Sequence, residues 1–193
     1  MNDPLVEVGV DVFHADASHA HFAEEICETI FLAAQQRGTG IARRTPEYIT
    51  TKMIEGKAII AVTQDGRLAG FCYIETWEHG RYVANSGLIV KPEYRKQNLA
   101  RRIKKAAFEL SRLRYPEAKL FGITTSAAVM KINYELGYRP VHFSELTTDE
   151  AFWSGCQSCP NYDILQRTNR AMCLCTGMLA DPAAPAVDPQ EGI

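Results

Sequence analysis

The sequence lacks both an excess of one charge and any long apolar run. Its 193 residues contain 21 Lys and Arg against 23 Asp and Glu, which gives a formal net charge of −2. No overall field therefore attracts the chain to nucleic acid or to an anionic membrane. No apolar stretch approaches the roughly 20 residues that a membrane-spanning helix needs. The N-terminus also lacks the basic region and apolar core of a signal peptide. We therefore expect a cytoplasmic protein with a small-molecule partner and without a nucleic-acid or membrane partner.

One domain of ordinary size accounts for most of the chain. We predict that it covers residues 1–180 and includes a cysteine-containing C-terminal extension over residues 144–180. Residues 181–193 hold three of the nine prolines, and we expect them to form a disordered tail. Nothing in the sequence fixes the assembly, and a homodimer stays open as one alternative.

Hydrophobic periodicity and turn residues predict a mixed α/β order of elements. The turn pairs Asp65-Gly66 and His79-Gly80 separate three strands, which indicates an antiparallel meander. The predicted strands cover residues 5–13, 57–63, 68–77, 82–90, 119–124, 138–143 and 170–179. The predicted helices cover residues 18–37, 45–55, 98–114 and 126–136. The expected fold is a central mixed sheet of six to seven strands flanked by about four helices.

The strongest functional signal is a polar loop that joins an apolar strand to a strongly amphipathic helix. A helix start leaves about four backbone N–H groups without partners inside the helix, and the helix dipole adds partial positive charge there. Such a start favours a bound pyrophosphate. The alternative is an exposed loop followed by a solvated basic helix face. The residues that we assign to this site are Leu88, Ile89, Val90, Arg95, Lys96, Gln97, Asn98, Leu99, Ala100 and Arg101.

Residues 90–100 resemble the coenzyme A loop of the GNAT acyltransferase superfamily. Arg95 matches the first basic position of that loop and Ala100 the last small one, whereas Asn98 stands where glycine is usual. Asparagine tolerates the left-handed backbone region better than other non-glycine residues, so the loop geometry is expected to survive. The resemblance implies the GNAT fold, acetyl-CoA or another short acyl-CoA as co-substrate, and N-acyltransferase activity.

A second resemblance to the same superfamily lies in residues 126–138, a helix that ends in Leu-Gly-Tyr. Many members carry a tyrosine four residues before that glycine, as the general acid for the departing thiolate. Here Asn133 occupies this place, and Tyr134 follows one step on, about 100° around the helix. The tyrosine acid of the family therefore does not carry over directly. Asn133 is a candidate hydrogen-bond partner near the cofactor sulfur, and Tyr134 is a candidate catalytic residue. An ordinary helix-surface asparagine is the alternative.

Glu75 is the candidate general base. It shares a strand face with Tyr73 and Trp77, and apolar surroundings raise the pKa of a carboxyl group towards the working range of a base. A strand-end charge that reaches solvent and a water relay are the alternatives.

Arg43 and Arg44 are the candidate acceptor-binding residues. They lie in the loop that covers the acceptor in the GNAT fold, and two arginines can hold a carboxylate by paired hydrogen bonds; a solvated pair is the alternative. The chain, including residues 40–49 and the cysteine-rich end, also resembles small bacterial GNAT proteins described as N-acetylglutamate synthases. That resemblance implies the α-amine of an amino acid such as glutamate as acceptor, in amino-acid biosynthesis. A protein or drug amine as acceptor, and an acyl-CoA-binding module without catalysis, are the alternatives.

Four of the six cysteines form two close pairs near the end of the chain. Cys156 and Cys159 lie in a predicted turn, and Cys173 and Cys175 fall on the predicted last strand. In a reducing compartment they are thiols or metal ligands, not disulfides. A structural zinc site is one interpretation. Because alternate residues on a strand are equally a pair of buried small apolar side chains, we favour ordinary thiols and assign no metal ligand.

Overall fold

The computed structural model of the protein describes residues 9–38 and 43–182. Three parts of the sequence-based predictions therefore lie outside the described residues. They are the start of the first strand at residues 5–8, the loop residues 39–42, and residues 183–193 of the predicted tail.

A single seven-stranded sheet forms the centre of the fold, in the spatial order β1-β2-β3-β4-β5-β7-β6. Neighbouring strands run antiparallel, except for β4 and β5, which run parallel. The predicted meander and mixed sheet are confirmed. The strands are β1 Val10–His14, β2 Ala58–Thr63, β3 Leu68–Trp77, β4 Tyr82–Val90, β5 Lys119–Thr124, β6 Arg139–Val141 and β7 Thr176–Ala180.

Six α-helices surround the sheet in the described part of the chain. The first four match the predicted helices. The last two lie in the C-terminal extension and have five and six residues, which is too short for a helical hydrophobic period to show in the sequence. The helices are α1 Ala23–Arg37, α2 Pro46–Ile54, α3 Leu99–Arg114, α4 Ala127–Glu135, α5 Glu150–Ser154 and α6 Tyr162–Arg167.

Local capping chemistry sets the ends of α1 and α2. Gly38 ends α1 in the left-handed region at φ 61°, which glycine adopts without steric cost. The Thr45 side chain accepts a hydrogen bond from the Tyr48 amide at 3.2 Å, and Pro46 occupies the first helical position of α2. Pro46 suits that position because its missing N–H would have no partner there.

The two faces of the sheet belong to different helices. Along β3, Cys72 and Ile74 pack in the cluster that contains α3, whereas Phe71 and Tyr73 pack in the cluster with α1 and α2. This alternation follows from the period of two in a β-strand. Side chains that follow Tyr73 at even spacing therefore lie on the α1/α2 face of the sheet.

The C-terminal extension covers the remaining part of the α1/α2 face. Ala84 is paired with Glu75 across β3 and β4, so it lies on the face of Tyr73. Trp153 and Leu165 of the extension pack in one cluster with Ala84 and Phe121. The extension is thus a cover over β4, β5 and β7 beside α1 and α2.

The predicted last strand begins too early, and this changes the position of Cys173 and Cys175. All five residues of β7, from Thr176 onward, pair with β5, and this pairing ends at Thr124. Beyond Thr124 the chain turns into α4 and offers no strand to pair with. The two cysteines therefore precede the strand and do not lie on it. Asn169 and Arg170 also have left-handed φ values of 48° and 63°, which breaks the extended run.

No helix within residues 9–38 and 43–182 has the length and apolar character that crossing a membrane requires.

The close approach of α3 to β3 yields a stability prediction at Gly70. A Cβ atom added there would lie 2.6 Å from Ile103 Cδ1 and 2.8 Å from the Ile89 carbonyl oxygen. We expect Gly70→Ala to lower the free energy of unfolding by about 1–3 kcal/mol through overpacking. Gly122→Ala on β5 is the control, since nothing lies within 4 Å of its added Cβ. Urea denaturation measures both; equal effects would contradict this packing of α3 on β3.

Candidate functional site

A cleft opens in the middle of the sheet because β4 leaves β5 early. The parallel pairing covers only Tyr82 to Ala84 against Lys119 to Phe121. From Asn85 to Val90, the sheet partner of β4 is β3 alone. Backbone groups on the open side of β4 are strong donors and acceptors that need partners. An extended ligand with amide groups can supply them, as in strand addition to a sheet edge.

A β-bulge changes the direction of β4 inside this cleft. Phe71 is opposite Ile89 and Tyr73 is opposite Ser86, so β4 has one residue more than β3 between these pairs. The extra length falls at Gly87, which has φ 65°, and a Cβ added there would lie 2.5 Å from Tyr73 Cε1. The glycine thus allows both the left-handed backbone and the contact with the Tyr73 ring. Bulges re-aim backbone groups beside functional sites.

The first turn of α3 lies next to this cleft and has no side-chain cap. Asn98 occupies the N-cap position at φ 61° and ψ 9° and makes no capping hydrogen bond through its side chain. The predicted left-handed geometry of Asn98 is therefore confirmed. Lys96 is left-handed as well, at φ 65°. The N–H groups of the first helical turn have no intrahelical partner, so this 16-residue helix directs a row of open donors at the loop.

Other predicted residues of the loop hold its shape. Arg95 Nε donates to the Val90 carbonyl at 3.1 Å and ties the loop to the end of β4. The Arg95 amide donates to the Pro92 carbonyl at 3.2 Å, so it is already used. Arg101 pairs with Glu135 of α4. The side chains of Leu88, Ile89 and Leu99 pack in or against the two hydrophobic clusters on the faces of the sheet. Only the backbone of these residues is therefore available to a ligand.

The remaining loop residues face solvent. Lys96 and Gln97 are exposed and Ala100 is half-buried. Lys96 takes part in no ion pair among the described residues, so its charge stays available to an anion.

A polar network lies on the α1/α2 face of the sheet. Tyr48 donates its hydroxyl to Glu75 Oε2 at 2.5 Å, and Lys52 Nζ donates to Glu75 Oε1 at 2.8 Å. Arg44 Nε donates to the hydroxyl of Tyr73 at 2.7 Å. The Lys52 and Glu75 side chains are only 11% and 16% exposed. Both carboxylate oxygens of Glu75 are therefore engaged, and its charge is balanced by Lys52.

The two tyrosines of this network remain protonated. Burial, followed by the proximity of Tyr73 and Glu75, raises the pKa of Tyr48. Burial likewise raises the pKa of Tyr73, although Arg44 opposes the shift. Tyr48 therefore acts as a donor to Glu75, and Tyr73 as an acceptor for Arg44 that still carries its own proton.

The adjacent arginines Arg43 and Arg44 have different surroundings. Arg43 is exposed, and its guanidinium carbon lies 4.8 Å from the ring centroid of Phe31. Arg44 is half-buried and lies 5.0 Å from the ring centroid of Tyr48. Among the described residues, no carboxylate lies within salt-bridge distance of Arg44. The structure thus places Arg44 in the network and Arg43 outside it.

Asn133 and Tyr134 also separate. Asn133 is 2% exposed; its Nδ2 donates to Met178 Sδ at 3.6 Å, and its Oδ1 is buried without a hydrogen-bond partner. Because Met178 is opposite Gly122 on β5, Asn133 lies over the strand that borders the cleft. Tyr134 is 70% exposed and lies at the surface of α4.

Sequence reasoning missed Tyr48, Lys52 and Tyr73 as members of the site. Tyr73 could have been found, since it lies two residues before Glu75 on the same strand face. Tyr48 and Lys52 share one face of α2 by their four-residue spacing, but the sequence does not show which strand that face meets.

Comparison with known proteins finds a family profile that matches part of the chain. The profile of the acetyltransferase (GNAT) family matches residues 46–127, from α2 to the start of α4. A search of curated protein sequences finds no match.

Solved structures with a similar fold include three with a coenzyme. The first is N-acetylglutamate synthase from Neisseria gonorrhoeae complexed with coenzyme A and N-acetyl-glutamate, with a TM-score of 0.63, 17% identity, and coverage of 92% of this chain and 36% of that chain. The chain thus spans about a third of that protein's length. A Mycobacterium tuberculosis protein in complex with CoA has a TM-score of 0.61 and 14% identity over 89% of this chain and 98% of that chain. The protein yncA from Salmonella typhimurium with its cofactor acetyl-CoA also has a TM-score of 0.61 and 14% identity. That match covers 94% of this chain and 99% of that chain.

At these identities the likeness is one of fold. The family profile covers residues 46–127, and these residues contain the opened strand, the bulge and the uncapped helix. The profile match over these residues thus supports a relation of this segment to the acetyltransferase (GNAT) family.

Proposed function

We propose that the protein transfers an acyl group from acetyl-CoA, or from another short acyl-CoA, to the amine of a small molecule. One observation carries the proposal. The open side of β4 and the uncapped start of α3 are consecutive in the chain and are tied together by the bond from Arg95 to the Val90 carbonyl. A single extended, anionic ligand can therefore satisfy both.

Coenzyme A fits this combination of groups. Its pantetheine arm carries two amides, which can pair with the unpaired backbone of β4 as an added strand does. Its pyrophosphate matches the open N–H groups between Lys96 and Arg101 and the positive end of the α3 dipole. The free charge of Lys96 adds to the attraction. The small side chain of Ala100 leaves room for the phosphates.

The bulge at Gly87 supports the chemical step. When an amine attacks the thioester carbonyl, negative charge develops on its oxygen. Backbone N–H groups held between Gly87 and Val90 would stabilise that charge, and one fixed donor of this kind contributes about 2.7–4 kcal/mol. Because these groups belong to a strand held by β3, they need little reorganisation during the reaction.

Asn133 is suited to the departing sulfur. Its amide is buried beside β5, with the oxygen unpartnered, and the two ends of an amide exchange by a simple flip. In one orientation it accepts a hydrogen bond from the thiol, and in the other it donates to the thiolate. A thiol pKa of about 8.5 makes the thiolate a tolerable leaving group, so the exposed Tyr134 is not needed as an acid.

Arg44 would hold a carboxylate of the acceptor. Its guanidinium has no carboxylate partner within the described residues, and it binds Tyr73, whose ring touches the bulge at Gly87. An α-amino acid bound at Arg44 through its carboxylate would thus have its amine near the thioester carbonyl. This geometry favours an amino acid such as glutamate as the acceptor, and Arg43 would then act only at the rim.

Glu75 would receive the amine proton indirectly. Its two oxygens are held by Tyr48 and Lys52, so the proton would arrive through the Tyr48 hydroxyl or through a water molecule.

Turnover tests the proposal. We expect thiol release from acetyl-CoA in the presence of α-amino acids, with glutamate among the acceptors. Arg44→Gln should raise the acceptor KM by about 10- to 100-fold, the equivalent of a charged hydrogen bond worth about 1.5–3 kcal/mol. The acetyl-CoA KM should stay within about twofold, since the phosphates and the pantetheine contact other elements. Steady-state kinetics on both substrates measures this.

The neighbouring variant Arg43→Gln is the matched control and should change the acceptor KM by less than about threefold, as expected for an exposed charge. Thermal denaturation checks that both variants are folded. Equal effects of the two variants would contradict the assignment of Arg44. Binding of acetyl-CoA without turnover on amino acids, peptides or other amines would favour an acyl-CoA-binding module without catalysis.

A further inference from the structure

Four cysteines from two separate segments of the extension come together. Cys156 and Cys159 belong to the turn after α5, where the Cys159 amide donates to the Cys156 carbonyl at 2.9 Å. The Cys173 thiol lies 3.8 Å from the carbonyl of Asn161, two residues beyond Cys159. Cys175 packs against the same cluster of buried side chains as Cys156 and Cys173.

The position of the second pair removes the main argument for ordinary core thiols. That argument required Cys173 and Cys175 to be alternate residues on the face of a strand. The strand begins only at Thr176, so the pair lies in an irregular segment before it. All four thiols are free and half-buried, and three of them pack against the cluster around Trp153.

The extension has little regular structure of its own to hold it in place. Its helices have five and six residues, and the two cysteine pairs lie on either side of α6. A small unit with a small core commonly needs a cross-link or a metal. A link between the turn at residues 156–159 and the segment at residues 173–175 would close a loop around α6 and fasten it to β7.

We propose that Cys156, Cys159, Cys173 and Cys175 together bind one zinc ion in a tetrahedral thiolate site. Four thiolates are a standard ligand set for structural zinc. The four thiols release their four protons to solvent as the Zn²⁺ ion binds, and no electrons are transferred. The site is independent of the acyl transfer proposed above.

The thiols must move to complete the site. Among residues 9–38 and 43–182, no group of three or more His, Cys, Asp or Glu side chains is already arranged to hold a metal ion. Neither pair lies in a helix or a strand, so side-chain rotation and small backbone shifts would bring the sulfurs together in the proposed site. Metal binding would then order the extension, as in other small sites where binding and folding are coupled.

Metal content and Co²⁺ absorption test the proposal on the full-length protein. Protein purified from zinc-containing medium should hold about one zinc per chain, as four thiolates require. Metal-free wild-type protein titrated with Co²⁺ under reducing conditions should develop the intense thiolate-to-cobalt absorption and saturate at one equivalent. A chelator should lower the melting temperature of the zinc-loaded protein.

Cys156→Ser and Cys175→Ser should each abolish stoichiometric binding and lower the melting temperature by similar amounts. Cys27→Ser, at a half-buried thiol on α1, is the matched control and should keep one equivalent. The titration of wild-type protein decides the outcome even where a variant does not fold. A folded wild-type protein that binds neither ion, or binds less than about 0.2 equivalents equally in all variants, would overturn the site.

Discussion

The separation of β4 from β5 after Ala84 is the constraint on which the rest of the structure depends. A parallel pair that stops after three residues leaves an open strand edge in the middle of a sheet, where burial normally demands that every backbone group be paired. The bulge at Gly87 and the uncapped start of α3 add donors to the same opening. Backbone groups on the open side of β4 and at the start of α3 are thus available to form hydrogen bonds with a long polar ligand.

The α1/α2 face supplies the other half of the candidate site. Tyr73 joins the two halves, because its ring touches Gly87 and its hydroxyl accepts from Arg44. The pair Lys52–Glu75 lies beside it and is nearly buried, where breaking such a pair is costly. This pairing joins α2 to β3, and Arg44 has no carboxylate partner among the described residues, so the unpaired charge at the candidate site is positive.

The sequence predicts the parts of the site that local chemistry controls. The bounds of β3, β4 and β5, the start of α2 at Pro46 and the left-handed Asn98 all follow from periodicity, turns and caps. Contacts between distant segments do not follow: Lys52 and Glu75 meet only through tertiary packing, and neighbouring Arg43 and Arg44 separate because one of them reaches Tyr73. The predicted position of Cys173 and Cys175 on the last strand is wrong because the start of β7 depends on where β5 ends, which the residues of β7 alone do not show.

Hydrogen exchange with and without acetyl-CoA tests the central claim most directly. If one ligand satisfies the open strand and the helix start together, amide exchange should slow in two segments at once, residues 86–90 and 96–101. Residues 150–170 of the extension should remain unchanged and serve as the internal reference. Saturating acetyl-CoA that protects neither segment, or only one of them, would contradict the account, because the strand edge and the helix start would then not form a single site.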